Sequence, residues 1–114
     1  MEAINGDKLR GHLETMVLST LESGQAHGLE ILHRLEDAGC GQLRLKEGSL
    51  YPALYRLEAA GLVKAVWEKE QHGRRGARRR YYSLTPRGKR RLNAGRVEWQ
   101  QFVRVLGPIM GAPV

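Results

Sequence analysis

The chain has 114 residues and a formal charge of +7, room for one small domain with an extra helix at an end. That charge favours a polyanionic partner, nucleic acid before an acidic membrane surface, and no apolar run approaches the roughly 20 residues of a membrane span. The first residues, Met1 to Asp7, lack the basic-then-apolar form of a signal peptide, and the single Cys40 rules out an intrachain disulfide framework and fits a reducing cytoplasm.

A first helix is expected from Lys8 to Glu22, where Leu9, Leu13, Met16, Val17 and Leu21 recur at the spacing of one helical face. Ser23-Gly24 closes it, the glycine being free to take the left-handed cap conformation. A second helix runs from about His27 to Ala38, with Leu29, Ile31, Leu32 and Leu35 as its buried stripe and Gly39 at its end. Cys40 reads as a small residue in a glycine-flanked turn rather than as a redox switch. Gln42-Leu43-Arg44-Leu45 alternates polar and apolar and predicts a very short strand.

A third helix extends from Glu47 or Ser49 to Ala60. A start at Ser49, with its hydroxyl as N-cap, leaves Pro52 in the tolerant first turn. Leu50, Leu54 and Leu57 then point to the core, Ser49, Tyr51, Tyr55, Arg56 and Ala59 occupy other faces, and Gly61 terminates the element. Leu62–Glu70 and Arg79–Leu84 carry the β-favouring bulk of two strands. Between them Gln71 to Arg78, with two glycines and three arginines, makes an exposed, mobile tip. Thr85-Pro86 supplies a capping hydroxyl and then proline at the first helical position. The fourth helix continues to about Leu106, with Leu92, Trp99, Val103 and Leu106 on one face and Phe102 beside it, and Gly107-Pro108 ends it.

This order gives a mainly α fold with a small β-hairpin wing (α+β). It is a winged helix-turn-helix domain over residues 8–85 with an additional C-terminal helix over 86–106. The charge is local. Residues 64–91 hold eleven Lys and Arg against two Glu, a net of +9, while the other 86 residues sum to about −2.

An α-helix fits the major groove of B-DNA, and side chains of its leading half reach base edges. Ser49, Tyr51 and Tyr55 can bond a phosphate or a base edge, and Arg56 can clamp a phosphate or pair with guanine. The alternative for Tyr51 and Tyr55 is half-buried packing, and for Arg56 a solvated surface. Arg74, Arg75, Arg78, Arg79 and Arg80 lie where a flexible loop can follow the phosphate strand or enter a narrow minor groove. Lys64, Lys69, Arg87, Lys89, Arg90 and Arg91 widen the field.

Gly48-Ser49-Leu50-Tyr51-Pro52-Ala53-Leu54, then Arg56-Leu57-Glu58, Gly61-Leu62 and Trp67, resembles the PadR family of bacterial transcriptional regulators. So does the run from Gly76 to Gly88, similar to that family's wing and its exit into the last helix; the likeness spans roughly residues 8 to 106. It implies a cytoplasmic winged-helix homodimer that binds inverted-repeat operators in double-stranded DNA and usually represses transcription. Helices one and four would form the interface, through Leu9, Leu13, Met16, Leu92, Trp99, Phe102, Val103 and Leu106. The single C-terminal helix is similar to the compact subfamily, whose members can bind flat hydrophobic effectors between subunits. Met16, Trp99 and Phe102 are the corresponding candidate pocket for a small aromatic effector. Lys46 departs from the family pattern, standing where Ser, Asn or Asp usually caps the third helix, and is itself a candidate DNA contact.

His12, His27, His33 and His72 show no metal-ligand spacing, and no phosphate-binding glycine loop, nucleophile elbow or apolar carboxylate pair is present. Neither a metal, a cofactor nor an enzymatic activity is expected. Two readings compete with a sequence-specific regulator: a nonspecific nucleic-acid or RNA-binding module, and a winged-helix protein-interaction module. Sequence-specific RNA readout favours exposed aromatic platforms, and aromatics are only 6% of this chain.

Overall fold

The computed structural model describes residues 9, 11–69 and 73–111. Along the chain run α1 (Leu13–Thr20), a 3-10 turn (Leu21–Ser23), α2 (Gly28–Ala38) and α3 (Glu47–Ala59). They are followed by β1 (Val63–Trp67), β2 (Arg80–Leu84) and α4 (Pro86–Met110). Lys8 and Arg10 of the expected first helix, Glu70 of the expected first strand, and Gln71 and His72 of the tip lie outside the described residues.

The expected first helix is shorter than its apolar pattern. Ser19 and Thr20 hydroxyls donate to the Met16 and Val17 carbonyls, and Ser23 donates to that of Thr20, so side chains compete for the acceptors the helix would use. Gly24 then turns the chain at φ 130°, ψ 172°, an extended mirror-image conformation rather than a left-handed cap. Arg34 of α2 holds this turn from below, donating to the carbonyls of Thr20 at 2.8 Å and Gly24 at 3.0 Å.

α2 starts on His27, whose ring nitrogen accepts from the Glu30 amide. Ile31 and Leu35 are buried, but Leu29 is 45% exposed, so the expected four-residue stripe is narrower. Leu29, the second residue of α2, lines the hollow beside the wing. α2 ends in a Schellman motif: the Gly41 amide donates to Glu36 and the Cys40 amide to Asp37. The left-handed residue is Cys40 at φ 53°, not Gly39. Residues 42–45 form no strand; Leu43 makes an isolated bridge and is buried as an anchor. Two apolar residues at alternate positions suffice to pin a loop.

The strand contribution from the helix-turn-helix comes earlier, at Ala26. It exchanges backbone hydrogen bonds with Tyr82 at 3.0 and 2.8 Å, so it flanks the antiparallel β1–β2 hairpin, in which Val63 pairs with Leu84 and Trp67 with Arg80. Both strands are shorter than expected. Leu50, Ala53, Leu54 and Leu57 of α3 are buried with Val17, Leu18, Ile31, Leu35, Val63, Tyr82 and Leu92 in one core, each large side chain contributing about 1.5–3 kcal/mol.

α3 closes on a second Schellman motif, with Gly61 left-handed at φ 74° and the Leu62 amide donating to Leu57. Thr85 caps α4 by accepting from the Gly88 amide at 2.9 Å, and its hydroxyl donates to Gly61 at 2.7 Å, locking the two helices together. At Gly88 a Cβ would overlap the Leu62 carbonyl, so only glycine permits this approach. α4 passes through Gly107-Pro108 and ends at Gly111, left-handed at φ 82°. Pro108 interrupts only the last, solvent-exposed turn, which is too short a segment to stop the helix. α4 packs on α1 of the same chain, where Gly95 admits the Thr15 side chain and Arg96 grips Glu22 with two bonds of 2.9 and 2.8 Å. Those bonds are the main reason the Glu22 carboxyl lies below its ordinary pKa.

Candidate nucleic-acid interface

The outward side of α3 is built from Gly48, Tyr51, Pro52, Tyr55, Arg56 and Ala59, all exposed. Gly48, Pro52, Tyr55 and Ala59, four, three and four residues apart, form its central ridge, opposite the leucines. The helix begins at Glu47, with Lys46 as N-cap and no side-chain capping bond, so Ser49 is inside the first turn rather than a cap. Pro52 therefore sits in the helix interior, where its missing N–H and its ring cost stability. Gly48 weakens the same turn, and an ammonium at Lys46 opposes the positive end of the helix dipole. Three unfavourable local choices thus fall on one solvent-facing surface.

The two flanks of the ridge differ. Arg56 turns back toward α1, its Nε donating to Glu14 at 3.1 Å in an exposed pair of the kind worth at most about 1 kcal/mol. Ser49, half-buried, lies on the same flank. Tyr51 lies on the other, its ring laid across Gly28 at the start of α2, and burial followed by the nearby Glu47 raises its phenol pKa.

Tyr51 joins the ridge to a hollow of about 700 Å³ between α2, α3 and the wing. His27, Gly28, Leu29, Trp67 and Tyr82 line it with Arg74, Arg75, Arg78, Arg79 and Arg80. Burial, then the charge of Arg79, holds the His27 imidazole below its ordinary pKa.

Several of the wing arginines are tied to neighbouring groups. Arg74 is ion-paired with Glu68 and donates to Ala77, and the Arg79 amide donates to the same carboxylate at 2.9 Å. Arg78 donates to the Lys69 carbonyl at 3.0 Å, while Arg75 is exposed. Arg80 belongs to β2, not to the tip: it pairs with Glu58 of α3 at 2.7 Å and lies over the Trp67 and Tyr82 rings. It fastens the wing to α3, a role the sequence hid because it depends on strand register. His27, Trp67, Glu58 and Glu68 were likewise not singled out as site residues.

On α4, Leu92 and Gly95 are buried, and the same face continues beyond the body as Trp99, Phe102, Val103, Leu106 and Met110. Trp99 and Phe102 stack at 5.8 Å, with His12 edge-on to both. Leu9 and Leu92, expected at a subunit contact, are instead inside the subunit's own core, and Leu13 and Met16 pack against it. The apolar pattern cannot distinguish a face covered by the chain itself from one left open. Among the described residues no three His, Cys, Asp or Glu gather to hold a metal, and no helix is long and apolar enough to cross a membrane.

A helix-turn-helix whose second helix stands beside a cationic wing defines a winged-helix transcriptional regulator. Residues 17–94 match the transcriptional regulator PadR-like family. The chain is 33% identical over 99 residues to a transcriptional regulator of Mycobacterium tuberculosis, covering 86% of each. A transcriptional regulator from Clostridium thermocellum has a similar structure, with TM-score 0.81, 31% identity and 90% and 97% of the two chains covered. A PadR family transcription regulator from Clostridium difficile gives TM-score 0.74 and 33% identity, with 88% and 99% covered. The chain belongs to the PadR-like family, whose members are transcriptional regulators and not enzymes.

Proposed function

We propose that the protein is a homodimeric, cytoplasmic repressor that binds inverted-repeat operators in double-stranded DNA and is released by a small hydrophobic or aromatic effector. The observation that carries DNA binding is the continuity of the α3 ridge with the arginine-lined hollow through Tyr51. In this reading Lys46, Ser49, Tyr51 and Tyr55 enter or border the major groove. Arg74, Arg75, Arg78 and Arg79 contact phosphates or the minor groove, and Arg56 and Arg80 serve mainly to position α3 and the wing.

Residues 8–85 form the DNA-binding domain, and the C-terminal helix, over 86–106 and onward to Met110, forms the dimer contact against α1 of the partner subunit. The exposed stripe of Trp99, Phe102, Val103, Ile109 and Met110 supports that contact, because a face this apolar is normally covered. Two half-sites about one helical turn, roughly 34–36 Å, apart match its two-fold axis. The paired Trp99 and Phe102 rings, with His12 edge-on to both and Met16 one turn further along α1, support a site for a planar ligand between subunits.

The test compares binding to a selected inverted-repeat duplex and a random duplex at two salt concentrations. A regulator keeps a large preference for the selected duplex at the higher salt, and equal affinities at both would refute the reading. Fluorescence of Trp99 in a Trp67→Phe variant, titrated with planar aromatic compounds, tests the effector; no saturable response across a broad panel would refute release by such a ligand.

A further inference from the structure

The groove-facing ridge of α3 is chemically unusual for a base reader. Gly48 and Ala59 offer hydrogen or methyl, Pro52 offers a saturated ring, and Tyr55, 74% exposed, is the one large side chain at its centre. The guanidinium that could grip guanine in two places, Arg56, is turned aside to Glu14. Glu47 and Tyr51 stand on the far flank, toward α2 and the wing. Apart from the Tyr55 hydroxyl this ridge carries no hydrogen-bonding side chain; the rest of what it can recognise in the major groove is apolar, and the apolar group there is the thymine 5-methyl.

We infer that this ridge selects its operator by contact with thymine methyl groups, with Tyr55 as the residue that sets the preference. The inference rests on the DNA-binding reading above and names what that site recognises. Tyr55 supplies the ring face against which a methyl packs, and Pro52 and Gly48 let the helix approach closely enough for the contact to exclude water. The wing contributes affinity without base choice, so discrimination is concentrated on these few side chains.

The test begins with an operator selected from random duplexes, in which each thymine is then replaced singly by uracil. This removes the methyl and leaves every hydrogen-bonding group in place. Wild type should lose affinity at about two adjacent positions in each half-site, about fourfold per methyl, the effect expected for burying one such carbon. Tyr55→Ala, fully tolerable at so exposed a site, should bind the thymine and uracil duplexes alike at one of those positions. Tyr55→Phe should keep the discrimination. Uniform tolerance of uracil by wild type overturns the inference while leaving operator binding intact, and so does loss of base preference in Arg56→Ala with its retention in Tyr55→Ala. A protein that does not prefer the selected duplex over a random one overturns the DNA-binding reading itself.

Discussion

Replacing Gly48 by alanine should move stability and DNA affinity in opposite directions. Gly48 is exposed in the first turn of α3, and a Cβ built there meets nothing within 4 Å. Its backbone is in the ordinary helical region, so alanine adds no strain and removes glycine's entropic cost, a gain of about 0.5–1 kcal/mol. For a domain of this size that raises Tm by about 2–8 °C in a thermal scan followed by circular dichroism. In the complex the same methyl points at the groove, and wedging it into a packed interface costs about 1–3 kcal/mol, a loss of affinity of about 5- to 150-fold by fluorescence anisotropy. A variant that melts higher and binds the selected duplex as tightly as wild type would refute the placement of α3's leading turn against DNA.

Other expectations come from the folded state. Cys40→Gly, at the left-handed position of the α2 cap, should stabilise by about 1 kcal/mol in urea unfolding, since a side chain there carries the left-handed penalty and its counterpart Gly61 does not. Gly88→Ala should destabilise by at least about 1–3 kcal/mol, because the new Cβ meets the Leu62 backbone rather than a side chain that can swing away; an unchanged midpoint would contradict that packing. If α4 makes the proposed dimer contact, wild type should sediment as a dimer and Val103→Asp as a monomer with its thermal transition retained; a monomeric wild type would contradict the contact. His27 must be neutral to accept from Glu30, and its pKa is lowered by burial and Arg79. As pH falls the unfolded chain is therefore protonated first. The stability held above the ordinary value of 6.5 is lost as pH drops through the lower folded value, and His27→Asn should flatten that slope.

The helices and the hairpin were legible because their signals are local. Leucine spacing placed the buried face of α3, Gly61 closed it, and Thr85-Pro86 opened α4 at the observed start. What stayed hidden depends on partners distant in the chain. Ala26 has no strand signal of its own and joins the sheet only because Tyr82 passes beside it. Arg80 looks like its neighbours at the wing tip until register sets it opposite Trp67 and within reach of Glu58. Arg56 faces Glu14 across 42 residues, which no pattern in α3 announces. Leu29 and Leu92 read alike as apolar stripe residues, yet one is open beside the wing hollow and the other is sealed beneath α1. Charge clustering located the candidate interface; tertiary packing decided which of its arginines are engaged within the chain.

The most direct measurement is the salt dependence of affinity for the selected duplex in wild type, in Arg75→Gln/Arg79→Gln and in Tyr55→Ala. With wing arginines on phosphates, each position replaced in the dimer removes two contacts and should reduce the slope of log K against log salt by about 1.8. Tyr55→Ala should leave that slope unchanged and lower only the preference for the selected over the random duplex. Identical slopes and identical preferences in all three proteins would contradict a binding surface made jointly by α3 and the wing.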